Sequence, residues 1–251
     1  LRIWIKVDTG MRRLGFLPEA VPGFIARLSR NPRVAGPPAL MTHLANADDP
    51  QDGLSSLQCR RLRALVRGGR GVLSIGNSAG ILAHPLSRTD WVRPGIMLYG
   101  ASPLTDRSAD ELGLTPVMTL QSRLIAVRAL RRGDAIGYGG TYVCEEDMPV
   151  GVVAVGYGDG YPRHAPSGTP VVIRGRRVPL VGRVSMDMIS IDLRGVPDAA
   201  LGDSVTLWGQ GLPAGEIAAG AGTIAYELFC RITTRVRLDH LAAAPLTARA
   251  S

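Results

Sequence analysis

The sequence predicts an α/β fold followed by an all-β one: part of a (β/α)8 barrel over 1–114, then a β-rich domain over 115–251. Up to about Leu114 the chain alternates strand-like apolar runs with stretches of helical spacing, the pattern of a parallel sheet with crossover helices. Beyond Thr115 the runs shorten and are separated by Gly, Pro and Asp turns, as in an all-β domain. A complete barrel takes about 250 residues, so the first region has room for only part of one.

Each element has its own signal. Ile3–Val7 alternates and reads as a strand; Pro18–Arg30 carries Val21, Phe24, Ile25 and Leu28 on one helical face. Ala39–Ala45 is the next strand, and Gly53–Arg67 the next helix, with Leu54, Leu57, Leu62 and Leu65. Val72–Gly76 and Gly95–Tyr99 are expected to close the series. In the second region Met118–Arg128, Val150–Val155, Pro170–Ile173, Ile189–Leu193 and Ser204–Trp208 read as strands, with one helix at Ala214–Ala219 or Ala225–Cys230.

Composition narrows the function classes. With 251 residues, 45% of them hydrophobic, the chain can bury a substantial core. The net charge of +8 comes almost wholly from arginine, Lys6 being the sole lysine. These arginines are scattered among acidic residues rather than interleaved with aromatics, which counts against nucleic acid as the partner. Cys59, Cys144 and Cys230 form no CxxC pair and suit a reducing cytoplasm. No apolar run approaches the ~20 residues of a membrane span, so no membrane partner is expected, and no metal-ligand spacing occurs. The opening Leu1–Val7 resembles mid-sheet sequence and lacks an initiating methionine, so truncation upstream is the expectation.

Polar residues at the ends of barrel strands are where such folds place their chemistry. Asp8, Arg13, His43, Asn77, Ser78 and Arg93 all fall there. Asn77-Ser78-Ala79-Gly80 reads either as a turn cap or as a phosphate cradle, since a hydroxyl and the free amides of a first helical turn suit a phosphate. Gly95 and Ile96 could add backbone donors. Tyr138, in Ile136-Gly137-Tyr138-Gly139-Gly140, is either a hairpin tyrosine or a proton-transfer group.

Taken in order, Lys6–Gly15, Thr42-His43, Asn77-Ser78, Arg93-Pro94-Gly95-Ile96, Tyr138–Tyr142, Gly156–Tyr161 and Ser185-Met186-Asp187 resemble the alanine racemases, from Leu1 to about Leu238. The resemblance implies pyridoxal 5'-phosphate (PLP) as cofactor and L-alanine/D-alanine interconversion through two bases on opposite faces of the α-carbon. Tyr138 matches one base; the other, the PLP-bearing lysine, has no match here. Ser78, Asn77, Gly95, Ile96 and Tyr226 match the phosphate contacts, and Arg93 the arginine at the pyridine nitrogen. His43 matches the histidine linking that arginine to the tyrosine. Arg13 matches the residue orienting tyrosine and substrate carboxylate. Met186, Asp187 and Tyr157 match residues beside the substrate, and Lys6 a lysine that is often carbamylated. Arg12 stands where the family often has glycine.

The resemblance further implies a cytoplasmic homodimer whose Tyr138 and Met186-Asp187 serve the partner's site, and a role in supplying D-alanine for peptidoglycan. The chain alone is expected to be inactive, since Lys6 lies in the wrong motif to replace the missing lysine. Two alternatives stay open: a serine or broad-specificity racemase, and a non-catalytic remnant or binding subunit.

Overall fold

A computed structural model describes residues 1–66 and 71–241. The chain forms two compact units, Leu1–Thr119 and Leu120–Ser251.

The first unit is an arc of a β/α barrel. Strands β1 (Trp4–Lys6), β2 (Ala39–Met41) and β3 (Leu73–Ser74) lie side by side in that order, all parallel. Helix α1 (Val21–Ser29) follows a 3-10 turn at Pro18–Ala20 and links β1 to β2; Pro22 in its first turn needs no intrahelical donor. Helix α2 (Gly53–Arg63) links β2 to β3 and starts where Asp52 Oδ1 accepts the Leu54 amide at 2.7 Å. The helix ends at Arg63, short of the expected Arg67: Ala64 caps it, its amide donating to Arg60 O, and the chain turns and bends over 64–66; Arg67 itself lies outside the described residues.

Ile5, Val7, Leu40, Leu73 and Ile75 from the strands meet Val21, Cys59 and Leu62 from the helices in one buried cluster. Full burial of each Leu or Ile is worth roughly 1.5–3 kcal/mol. On the helical face read from the sequence, Leu62 is fully buried whereas Leu57 reaches the surface.

Gly95–Tyr99 differs from expectation. Ile96–Tyr99 is a 3-10 turn, and the next position beside β3 is taken by Trp91, bridged in parallel to Ser74. A four-residue apolar run fits a strand or a helical turn equally well by periodicity, and here Ile96 is buried through the turn.

Among its described residues the second unit is all-β with two short helices. Six strands run β10-β7-β4-β11-β8-β9: Ile189–Asp192, Met148–Val153, Leu120–Leu130, Ser204–Trp208, Pro170–Ile173 and Arg176–Pro179. Neighbours pair antiparallel, and a bridge from Leu180 to Ile191 brings the chain leaving β9 back to β10, so the sheet nearly closes on itself. A separate hairpin, β5 (Ala135–Ile136) and β6 (Tyr142–Val143), carries the Tyr138 turn. Both stretches weighed as a single helix are helical: α4 spans Ala214–Gly220 and α5 spans Ala225–Arg231, α3 (Ser78–Ala83) lying in the first unit.

Candidate active site

In the first unit the chemistry gathers where the parallel strands end. Beyond β1 the chain turns back on itself: Asp8 N donates to Phe16 O and Phe16 N to Lys6 O, both at 2.9 Å. Asp8 Oδ1 accepts the amides of Gly10 and Arg12 at 3.0 Å. The Arg12 amide is the largest of the influences holding this carboxyl below its usual range. Asp8 is therefore a loop-fixing carboxylate. Arg12 has φ 59°, a left-handed conformation suited to glycine, and is held by that amide bond and by an ion pair to Asp8 at 3.9 Å. Arg13 follows, exposed.

Beyond β2, Thr42 is buried and His43 half-buried. The Thr42 hydroxyl donates to Val7 O at 2.8 Å, so in the 2.7 Å contact between Thr9 Oγ1 and Thr42 Oγ1 the donor is Thr9. Gln58 Nε2 on α2 in turn donates to Thr9 Oγ1 at 3.2 Å and to His43 O at 3.0 Å. This chain locks two strand ends to α2 and sets the backbone from which His43 projects. Neither Thr9 nor Gln58 stood out in the sequence.

Arg93 lies across the same ends. Its Nη2 donates to Thr42 O at 2.5 Å and Ile75 O at 3.1 Å, and its Nη1 to Ser74 Oγ. Burial alone pulls its pKa down, yet guanidinium stays charged at any ordinary pH. Desolvation is also the first cause of a lowered His43 pKa, followed by the charges of Arg93, Arg13 and Lys6. The strand ends thus bring four basic side chains within electrostatic reach of one another. A cavity of about 270 Å3 lined by Trp4, Met41, Ser74, Trp91, Val92 and Arg93 adjoins them, with Trp4 and Trp91 edge to face at 6.2 Å.

After β3, Asn77 caps α3, its Oδ1 accepting the Gly80 amide at 2.9 Å. The buried Ser78 Oγ accepts the amides of Gly95 at 2.7 Å and Met97 at 3.4 Å. Among the described residues no acceptor takes the Ser78 O–H, which is left to donate. The Gly95 amide is already committed to Ser78, whereas that of Ile96, first in its 3-10 turn, has no intrahelical partner. A hydroxyl proton beside free first-turn amides fits a phosphate group, and so fits PLP.

The second unit holds the remaining candidates. Tyr138 is 68% exposed on a turn whose Gly137 and Gly139 have φ of 69° and 73°. Tyr157 and Met186 are also exposed. Their loops are laced together: Tyr157 N donates to Ser185 O at 3.1 Å and Gly158 N to Met186 O at 2.8 Å. Arg235, absent from the sequence-based candidates, bonds Asp187 at 2.6 Å and pairs with Asp159 at 3.3 Å. Asp159 Oδ2 accepts the Gly156 amide at 2.9 Å at the start of the Tyr157 turn. Tyr226 lies on α5, half-exposed.

Among the described residues, no helix is long and apolar enough to cross a membrane, and no group of three or more His, Cys, Asp or Glu side chains is arranged to hold a metal ion.

Residues 1–103 match the family model "Alanine racemase, N-terminal domain" and residues 117–240 match "Alanine racemase, C-terminal domain". The alanine racemase of Nitrosococcus oceani is 55% identical over 236 residues, covering 94% of this chain and 66% of the relative. That of Thioalkalivibrio sulfidiphilus is 54% identical over 241 residues, covering 96% and 67%. The crystal structure of biosynthetic alanine racemase from Pseudomonas aeruginosa superposes with a TM-score of 0.91 at 46% identity, over 96% of this chain and 67% of that one. The chain spans about two thirds of the length of the curated relatives it matches. Two family models in sequence, high identity and a shared fold place this chain in the alanine racemase family.

Proposed function

We propose that these 251 residues are the larger part of a PLP-dependent enzyme that interconverts L-alanine and D-alanine, acting as a homodimer. The observation that carries this is the cluster of Lys6, Arg13, His43 and Arg93 at the same strand ends that lead into Ser78, whose hydroxyl proton is left to donate. It is a basic, part-buried recess at barrel strand ends, suited to a molecule bearing both phosphate and carboxylate.

PLP bound there supplies an electron sink for the pair left when the substrate's α-proton departs. With PLP bound, Ser78 would donate its O–H to the phosphate, and the Ser78 and Ala79 amides that open α3 and the Ile96 amide would add donors; Tyr226 matches the family's further phosphate contact. Arg93, anchored by Thr42 O and Ile75 O, is the residue that would hold the pyridine nitrogen. Guanidinium gives up its proton too reluctantly to protonate that nitrogen, and the milder sink favours prompt return of a proton over side reactions.

Tyr138 takes or returns the proton on one face of the α-carbon, from the partner chain of the dimer. Arg13 and Arg93 supply positive charge that favours its phenolate form, and His43 links Arg93 to the phenol. Arg13 also orients the substrate carboxylate. Met186, Asp187 and Tyr157 narrow the approach and favour a substrate as small as alanine. A carbamate on Lys6 would place a negative charge beside Arg13 and steady it.

The second base is a lysine from the third of the relatives' length that this chain does not span. Lys6, the sole lysine, lies in the strand-end cluster with Arg13, His43 and Arg93. The test is racemisation of alanine by the complete gene product with PLP, beside the same assay on residues 1–251. Activity in the first and none in the second is expected. Turnover of serine at a rate equal to alanine would favour a broad-specificity racemase, and no turnover of any amino acid a non-catalytic binding role.

A further inference from the structure

Resting on Tyr138 as a proton-transfer group, the geometry points to Arg183 as the residue that positions it. The Tyr138 turn has little stiffness of its own. Gly137, Gly139 and Gly140 have φ of 69°, 73° and 53°, and inside the turn the bond across it is Gly140 N to Gly137 O at 3.2 Å. Such glycine-rich backbone leaves a tyrosine free to wander unless something outside the turn holds it.

Arg183 is what lies against it. A Cβ built on Gly139 would stand 3.4 Å from Arg183 Nη1 and 3.6 Å from its Cζ; one built on Gly137 would be 3.9 Å from the Arg183 backbone N and O. One built on Gly182 would lie 3.0 Å from Ile136 O. The segment around Arg183 therefore runs along the turn from Ile136 to Gly139, with the guanidinium covering the residue after Tyr138.

This support is itself rigid. Val181 and Val184 are buried at 2% and 0% exposure. Val181 N donates to Ser190 O, and Gly182 N to Ser167 Oγ, both at 2.9 Å. No carboxylate among the described residues forms an ion pair with Arg183, so its side chain is not drawn elsewhere. An arginine carried on this rigid backbone and laid against a soft turn limits where the phenol oxygen can sit, and proton transfer is steep in that placement.

Each enantiomer loses its proton on a different face, and Tyr138 serves only one of them. On that face the α-C–H bond breaks, the proton passes to the phenolate oxygen, and the opposite base returns a proton to the carbon. Displacing Tyr138 slows one of two transfers.

The experiment measures kcat/KM for both enantiomers, unlabelled and α-deuterated, in the complete gene product carrying Arg183→Met, Arg183→Lys or Tyr138→Phe. We expect Arg183→Met to lower kcat/KM in both directions by roughly 10- to 100-fold. The deuterium isotope effect should rise with one enantiomer and fall toward unity with the other, and Arg183→Lys should restore part of the rate. Isotope effects unchanged for both enantiomers in both Arg183 variants would overturn the inference, because a merely structural loss reduces active enzyme without reapportioning the steps. An active Tyr138→Phe would instead overturn the proton-transfer role on which the inference rests.

Discussion

Thr9 and Thr42 join their hydroxyls at 2.7 Å, each only 1% exposed, although 33 residues separate them. Because Thr42 passes its own proton to Val7 O, the Thr9 proton has Thr42 as its acceptor. Thr42→Val keeps the volume but leaves the buried Thr9 hydroxyl proton without its acceptor and Val7 O without the Thr42 donor, while Gln58 still donates to Thr9 Oγ1. The expected cost is about 1–3 kcal/mol, seen as a lower denaturation midpoint of the complete gene product. An unchanged midpoint would show that this link does not hold the strand ends.

His43 should titrate below an unperturbed histidine, burial being the first cause and the charges of Arg93, Arg13 and Lys6 adding to it. A folded pKa below the unfolded one means that the unfolded chain binds the proton first. Stability from this site is complete above about 6.5 and declines as pH falls from there through the lowered folded value. An NMR titration of the His43 ring gives the midpoint directly; a value at or above 6.5 would contradict the cationic cluster.

Arg12 sits in the left-handed region, with φ 59°, a conformation that glycine adopts without steric cost. Arg12→Gly should be neutral or stabilising by up to about 1 kcal/mol, the lost surface ion pair to Asp8 being worth little. Arg12→Val should destabilise by more than about 1 kcal/mol, since a β-branched residue tolerates that region worst. Equal stabilities for the two variants would mean that the turn relaxes at no cost.

Arg235 bridges Asp187 and Asp159 with about half of its side chain exposed, so its loss should barely move stability, by less than about 1 kcal/mol. It should instead loosen the Met186-Asp187 loop. For Arg235→Met we expect a several-fold higher KM for alanine with kcat nearly unchanged. A fall in kcat at constant KM would place Arg235 in the proton-transfer step instead.

The alternation of strand and helix in the first unit was legible because burial on one face imposes a period on α1 and α2 that survives in the sequence. Gly95–Tyr99 was not legible, because four apolar residues carry no period and Pro94 marks only a break. Arg93, His43 and Ser78 could be picked out as polar residues at strand ends. Thr9, Gln58, Arg183 and Arg235 could not, because each acts through a partner far along the chain: Gln58 on Thr9 across 49 residues and Arg235 on Asp187 across 48. In Arg183 the signal is weaker still, since a guanidinium resting on a glycine leaves no complementary residue to notice.

The most direct test of the proposed chemistry is peptide mapping of the complete gene product after PLP loading and borohydride reduction. The reduced pyridoxyl group is expected on a lysine outside these 251 residues, with Lys6 unmodified by it. A pyridoxyl group on Lys6 would contradict the assignment of Lys6 to the strand-end cluster and require a different second base.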